Sequence, residues 1–160
     1  MKENSPIKEK SLQPVEVATR SSVNARESKP AAEVLDDRVL RALHAASDKK
    51  ALDLVVLDLR EIATFTDFFL ISSGANQRQV QAIADEVIDK LKKAGSPAAR
   101  VEGYKTAEWI LVDYGDFIVH VFEDKSRKFY DLERLWRDGK RVDLPADLIE
   151  QPAGSLRREL

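Results

Sequence analysis

The sequence predicts a single α/β domain, a mixed β-sheet of about five strands with helices packed on it. Three observations predict it. Apolar positions recur at helical spacing in three segments, and short apolar, β-branched runs of strand length lie between them. The order of the two patterns (helix, two strands, helix, three strands, helix) fits neither a TIM barrel nor a complete doubly wound sheet. With 160 residues, 43% of them hydrophobic, the chain fills one ordinary core.

The first helix lies in VLDDRVLRALHAASDKK, where Val39, Leu40, Leu43 and Ala46 share a stripe and Asp36 and Asp37 stand near the start. ALDLVVLDL follows as a central strand buried on both faces. After a loop near residues 62–66, DFFLISSG supplies a second apolar strand ending at Gly74. The clearest helix is NQRQVQAIADEVIDKLKKAG: Val80, Ile83, Val87, Ile88 and Leu91 recur at three and four, and Gly95 stands just past its end. ARVEGY reads as a short strand, and EWILVDYGDFIVHVF as two strands around Tyr114-Gly115. A last helix is predicted from Lys125 to Arg137, with Phe129, Leu132 and Trp136 on its buried face and Arg127, Arg134 and Arg137 outside.

Domain boundaries follow from composition. Residues 1–33 contain no aromatic residue and near-balanced charge, and read as a disordered extension. Their glutamates (Glu3, Glu9, Glu16, Glu27, Glu33) are foreign to transit peptides, and no apolar segment suggests a secretory signal. The folded domain is expected over 34–144, with 145–160 a C-terminal tail.

Charged residues reach 34% with a net charge of -2, so no overall basic field exists to hold nucleic acid. RNA contact would have to be local and peripheral. The absence of cysteine excludes disulfides, thiolate zinc sites and a cysteine nucleophile. Apolar stretches are broken by charge well short of the roughly 20 residues needed to span a bilayer. A soluble, cytoplasmic protein is the expectation.

The segment DFIVHVFEDKSRKFYDLERLW sets His120 inside an apolar strand. A two-residue turn at Tyr114-Gly115 would place Leu111 opposite Ile118 and Trp109 opposite His120, all on one face. Ile110, Val112, Phe117, Val119 and Val121 take the other, wholly apolar face. Any even change of loop length preserves this partition. The first face, with Trp109, Leu111, Asp113, Ile118 and His120, has apolar anchors among polar groups, and Tyr104 and Lys105 extend it. Two readings stand for it. Either a partner binds there, or Trp109 sits beneath a helix with His120 hydrogen-bonded to a neighbouring carboxylate.

Catalytic signatures are missing. No G-x-S-x-G elbow, G-x-G-x-x-G or Walker loop can be written with the 6 scattered glycines. His44 and His120, the 2 histidines, have no ligand spacing. Asp53 and Asp58 point to opposite faces of a strand, so a carboxylate pair there is unexpected. No metal or cofactor is expected.

KKALDLVVLDL, TDFFLISSG, RQVQAIADEV, AEWILVDYGDFIVHVF and RKFYDLERLW, in that order, resemble the Iojap-related ribosomal silencing factors over essentially the whole domain. The resemblance implies a nucleotidyltransferase-like fold without a catalytic site. It further implies a non-enzymatic protein that binds the large ribosomal subunit through ribosomal protein number fourteen, blocks subunit joining and represses translation under nutrient limitation. Carried onto this chain, its partner-binding residues would be Tyr104, Lys105, Trp109, Leu111, Asp113, Ile118 and His120. Homodimers are also implied. The alternative, a metal-dependent nucleotidyltransferase or hydrolase, would use Asp53, Asp67 or His120.

Overall fold

The computed structural model describes residues 35–149, and the expectations for residues 1–33 and for 150–160 lie outside them. Each predicted strand and both long helices are present, and the described residues form six strands and five helices. Helix α1, Asp37–Asp48, begins where the Asp36 carboxylate accepts from the Val39 amide at 3.1 Å. Strands β1, Leu52–Asp58, and β2, Phe68–Gly74, pair antiparallel. Helix α2, Gln77–Lys93, is capped by Asn76, whose side-chain oxygen accepts from the Gln79 amide at 2.8 Å. Strands β3, Arg100–Glu102, β4, Trp109–Asp113, and β5, Phe117–Glu123, form an antiparallel meander. The strand order is β3-β4-β5-β2-β1-β6, with β2 and β5 parallel across the α2 crossover.

Both faces of the sheet are covered. On one, Val56, Leu70, Ile110, Val112, Phe117, Val119 and Val121 pack under α1 and α2, which contribute Leu43, Val80, Ile83, Val87 and Leu91. On the other, Leu57, Phe69, Ile71, Trp109, Leu111, Ile118 and Phe122 form a second core with Leu59, Ala63, Leu132 and Trp136. The face partition expected from alternation holds.

The carboxyl-terminal third departs from expectation in three ways. The single helix from Lys125 to Arg137 is two, α3 at Asp124–Tyr130 and α4 at Leu132–Leu135. Between them Asp131 adopts a left-handed conformation, φ 49 and ψ 51, which ends one helix and re-aims the next. In consequence the expected faces exchange members: Arg127 is buried while Phe129 is 78% exposed. Next, Lys140–Arg141 forms β6 on the β1 edge, which raises the strand number to six. Last, the boundary at Leu144 falls too early. A short helix α5, Ala146–Ile149, follows, and Leu148 is buried in the helix-side core.

Candidate partner-binding surface

The β4–β5 hairpin carries the candidate residues, and its register corrects the expected pairing. Trp109 lies opposite Phe122, Leu111 opposite His120 and Asp113 opposite Ile118. Tyr114 donates its amide to the Phe117 carbonyl at 2.9 Å, so the central turn residues are Gly115 and Asp116 rather than Tyr114 and Gly115. Gly115, at φ +89, holds the first central position, which suits the turn type that matches strand twist. The Asp113 carboxylate accepts from the Gly115 amide at 2.8 Å and fixes that geometry. The shift preserves the face of every side chain, as an even slip must.

Exposure divides the candidates. Trp109 is 3% exposed and His120 0%, and Leu111 and Ile118 are also buried. The reading of these four as exposed anchors is therefore corrected. Trp109 stacks on Phe122 with ring centroids 4.9 Å apart and lies against Tyr130, also at 4.9 Å. The break at Asp131 and the turn into α4 bring Tyr130, Leu132 and Trp136 over this face. The second reading of His120 is nearer the structure, with a different partner: Trp109 Nε1 donates to His120 Nδ1 at 3.0 Å. An indole only donates, so Nδ1 accepts and the neutral ring carries its proton on Nε2. Burial lowers its pKa from 6.5 to about 3, too low for a general base at neutral pH.

Tyr104 and Lys105 are exposed and Asp113 is half-buried. Tyr104 is anchored twice. Its hydroxyl donates to Asp85 at 3.0 Å and its carbonyl accepts from Gln81 at 2.9 Å. Arg100 on β3 reaches Glu102 at 2.8 Å and Asp113 at 3.4 Å, so this edge is organised by charge pairs.

Two exposed aromatic rings border the second core, and helical spacing places one of them, Phe129, on a buried helix face. Phe129 projects from α3 and packs edge-on against Tyr130 at 5.0 Å, and Phe65, 42% exposed, contacts Trp136 at 5.8 Å. No periodic signal could have found Phe129, because the helix that would have buried it breaks two residues later.

Asp53 and Asp58 do not converge on one site. Asp53 and Asp58 stand at opposite ends of β1, and Asp58 is held by Arg60 at 2.7 Å. Among the described residues there is no group of three or more His, Cys, Asp or Glu able to hold a metal.

The fold and this surface define a mixed α/β protein with a charge-patterned strand edge. A family model described as "Ribosomal silencing factor during starvation" matches residues 31–159, and the chain belongs to that family. The match runs past both ends of the domain expected from composition.

Relatives agree. Ribosomal silencing factor RsfS of Halalkalibacterium halodurans is 45% identical over 103 residues, 64% of this chain and 88% of that one. The chloroplastic protein Iojap of Zea mays is 36% identical, over 67% of this chain and 46% of its own length. A mouse protein named "Mitochondrial assembly of ribosomal large subunit protein 1" is 30% identical, over 55% of this chain and 40% of its own. A crystal structure from Bacillus halodurans superposes with a TM-score of 0.60 at 42% identity, covering 66% of this chain and 96% of that one.

Proposed function

We infer that this protein docks on the large ribosomal subunit through ribosomal protein number fourteen and, by its bulk, keeps the small subunit from joining. Translation is thereby repressed under nutrient limitation, in the cytoplasm and without turnover of a substrate. The observation that carries the reading is the family match across the whole folded domain. Among the described residues no helix is long and apolar enough to cross a membrane.

In this reading Tyr104, Lys105 and Asp113 make the contact, while Trp109, Leu111, Ile118 and His120 hold the hairpin rigid behind them. A footprint of about 800 Å² per partner suffices for a specific complex, and the rest of the domain supplies excluded volume. Self-association through the same edge would compete with docking.

The test is cosedimentation of the full chain with isolated large subunits, small subunits and joined ribosomes. Retention by large subunits alone is expected, with Tyr104→Ala and Lys105→Glu each weakening it about tenfold. Equal retention by small subunits, or none by either, would refute the reading. Trp109→Glu is unsuited to this purpose, since a carboxylate placed in a closed aromatic cluster unfolds the protein and reports stability instead.

A further inference from the structure

Most basic side chains of the described residues are paired with an acid. Arg38 pairs with Asp116, Arg41 with Asp37, Arg60 with Asp58, Lys90 with Glu86, Lys93 with Asp89 and Arg127 with Glu133. Arg100, Lys128, Arg134, Lys140 and Arg141 are paired too. Among the described residues the side chains without an ion pair are Lys49, Lys50, Arg78, Lys92, Lys105, Lys125 and Arg137.

Five of these gather at one end of the sheet. Lys49 and Lys50 precede β1, Arg78 opens the helix after β2, Lys125 follows β5 and Lys105 precedes β4. The topology brings these four chain segments together. Leu52 pairs with Ser73 and Gly74 with Glu123, and Glu123 donates its amide to the Glu108 carbonyl at 3.0 Å. The Gln79 side-chain amide donates to the carbonyls of Lys49 and Lys50, at 3.1 and 3.0 Å, which ties that loop to the first turn of α2. Neighbouring strands lie about 4.8 Å apart, so the five cations span an arc of roughly 15 Å. All five are exposed. The two remaining unpaired cations, Lys92 and Arg137, lie at the C-terminal end of α2 and past α4, away from the arc.

We propose that this end of the sheet, where β2 and β5 finish, is a docking surface for the phosphate backbone of structured RNA. Three features favour that occupant. The cations are unneutralised, spaced along a line and free to exchange water for phosphate. The N-terminus of α2, a helix with no acidic residue in its first turn, adds the positive end of a helix dipole to the same arc. The intervening residues Ala75, Asn76, Gln77 and Thr106 are small or polar, which suits a phosphate backbone, and the exposed apolar groups at this end, Leu52 and the Tyr104 ring, stand apart on separate segments rather than forming a lipid-facing patch. Asp48, Asp53, Glu108, Glu123 and Asp124, the last paired with Lys128, share this end, so the positive charge is local to the five side chains rather than a net field, and binding is weak, salt-dependent and indifferent to sequence. The inference rests on the ribosomal reading for the source of the RNA and on the arc for the contact itself.

Fluorescence anisotropy of a short duplex RNA of arbitrary sequence, titrated with the full chain across a salt series, tests it. Lys49→Gln/Lys50→Gln/Arg78→Gln is expected to lower the slope of log Kd against log salt by about 2 to 3. Lys105→Gln/Lys125→Gln gives an independent reduction of about 2, and Lys92→Gln/Arg137→Gln none. Thermal melts verify that each variant is folded. An unchanged slope in both arc variants, no binding of wild type at low salt, or polyglutamate competing as well as RNA would each overturn the proposal. The outcome is separable from docking on the subunit. Wild type that cosediments with large subunits while its arc variants keep the full salt dependence refutes the arc alone, and duplex binding without cosedimentation refutes the ribosomal role alone.

Discussion

Trp109 donates its indole N–H to Nδ1 of His120 across the β4–β5 ladder at 3.0 Å, and both rings are buried. Because the two residues are diagonal rather than opposite, the bond ties together successive rungs of the hairpin. Among the described residues His120 Nε2 has no hydrogen-bond partner, and the Phe69 ring meets the imidazole in a T-shaped contact at 4.4 Å.

That relationship makes stability pH-dependent. Burial holds His120 neutral in the fold down to about pH 3, whereas the unfolded chain takes up a proton near 6.5. The contribution of the neutral ring is thus complete above pH 6.5 and is lost progressively as pH falls toward 3, by roughly 5 kcal/mol in all. Urea unfolding of wild type and His120→Leu at pH 7 and pH 4.5 measures it. The variant is expected to lose about 1 to 3 kcal/mol at pH 7, from the stranded indole N–H, and to show a flatter pH dependence. Parallel pH profiles would contradict the assignment.

His44 behaves oppositely. Burial alone lowers its pKa, but the Asp147 carboxylate at 3.0 Å and the Leu40 carbonyl at 3.0 Å together raise it above 6.5. Both partners only accept, so the geometry is complete when both ring nitrogens carry protons. This tie between α1 and α5 is in place below pH 6.5 and is lost as pH rises through the folded pKa. Proton NMR titration should show the His44 pKa falling toward 6.5 in Asp147→Asn, and no change on that substitution would discount the contact.

Two glycines with positive φ should differ sharply. A β-carbon on Gly103, φ +81, would sit 2.1 Å from the Trp109 carbonyl oxygen, whereas one on Gly95, φ +90, meets nothing within 4 Å. Gly95→Ala is expected to cost about 1 kcal/mol from backbone strain alone. Gly103→Ala has to displace backbone as well and should cost roughly 3 kcal/mol or more, read as the difference in urea midpoints.

Arg127 is the cation most deeply committed to structure. It meets Glu133 with two nitrogens, at 3.2 and 3.0 Å, and donates to the Leu52 carbonyl and to Ser73 Oγ, both at 3.2 Å. Arg127→Ala should destabilise by about 2 to 4 kcal/mol, because it strands partners on β1, β2 and α4 together. Arg134→Ala, on the same short segment but exposed, should cost under 1 kcal/mol in the same urea experiment.

How far the sequence could be read depended on range. Val80, Ile83, Val87 and Leu91 form a stripe that burial enforces locally, and the alternation in β4 and β5 survives any even slip, so the long helices and both strand faces were legible. The hairpin register turned on where Gly115 sits in its turn, a choice the alternation cannot make. The break at Asp131 was hidden because an αL aspartate is held by what Arg127 and Glu133 do across it. Strand β6 has two residues, too few for any periodicity, and is fixed by its pairing with Leu57 and Asp58. The hairpin face was misjudged because Tyr130, Leu132 and Trp136, which cover it, approach from a segment whose direction depends on that same break.

The lone parallel seam among the described strands, where residue 68 meets residue 117, divides the molecule in a way its compactness conceals. On either side of it lies a ladder between strands close in sequence, β1 with β2 and β4 with β5, which short loops can close. The seam itself joins distant chain and should be the slow, committing step of assembly. A chain severed in the exposed turn around Gly95 leaves each half with its own ladder and one lip of the seam. Two such fragments mixed in solution should recover the fold by zipping β2 to β5, at a rate set by their concentration.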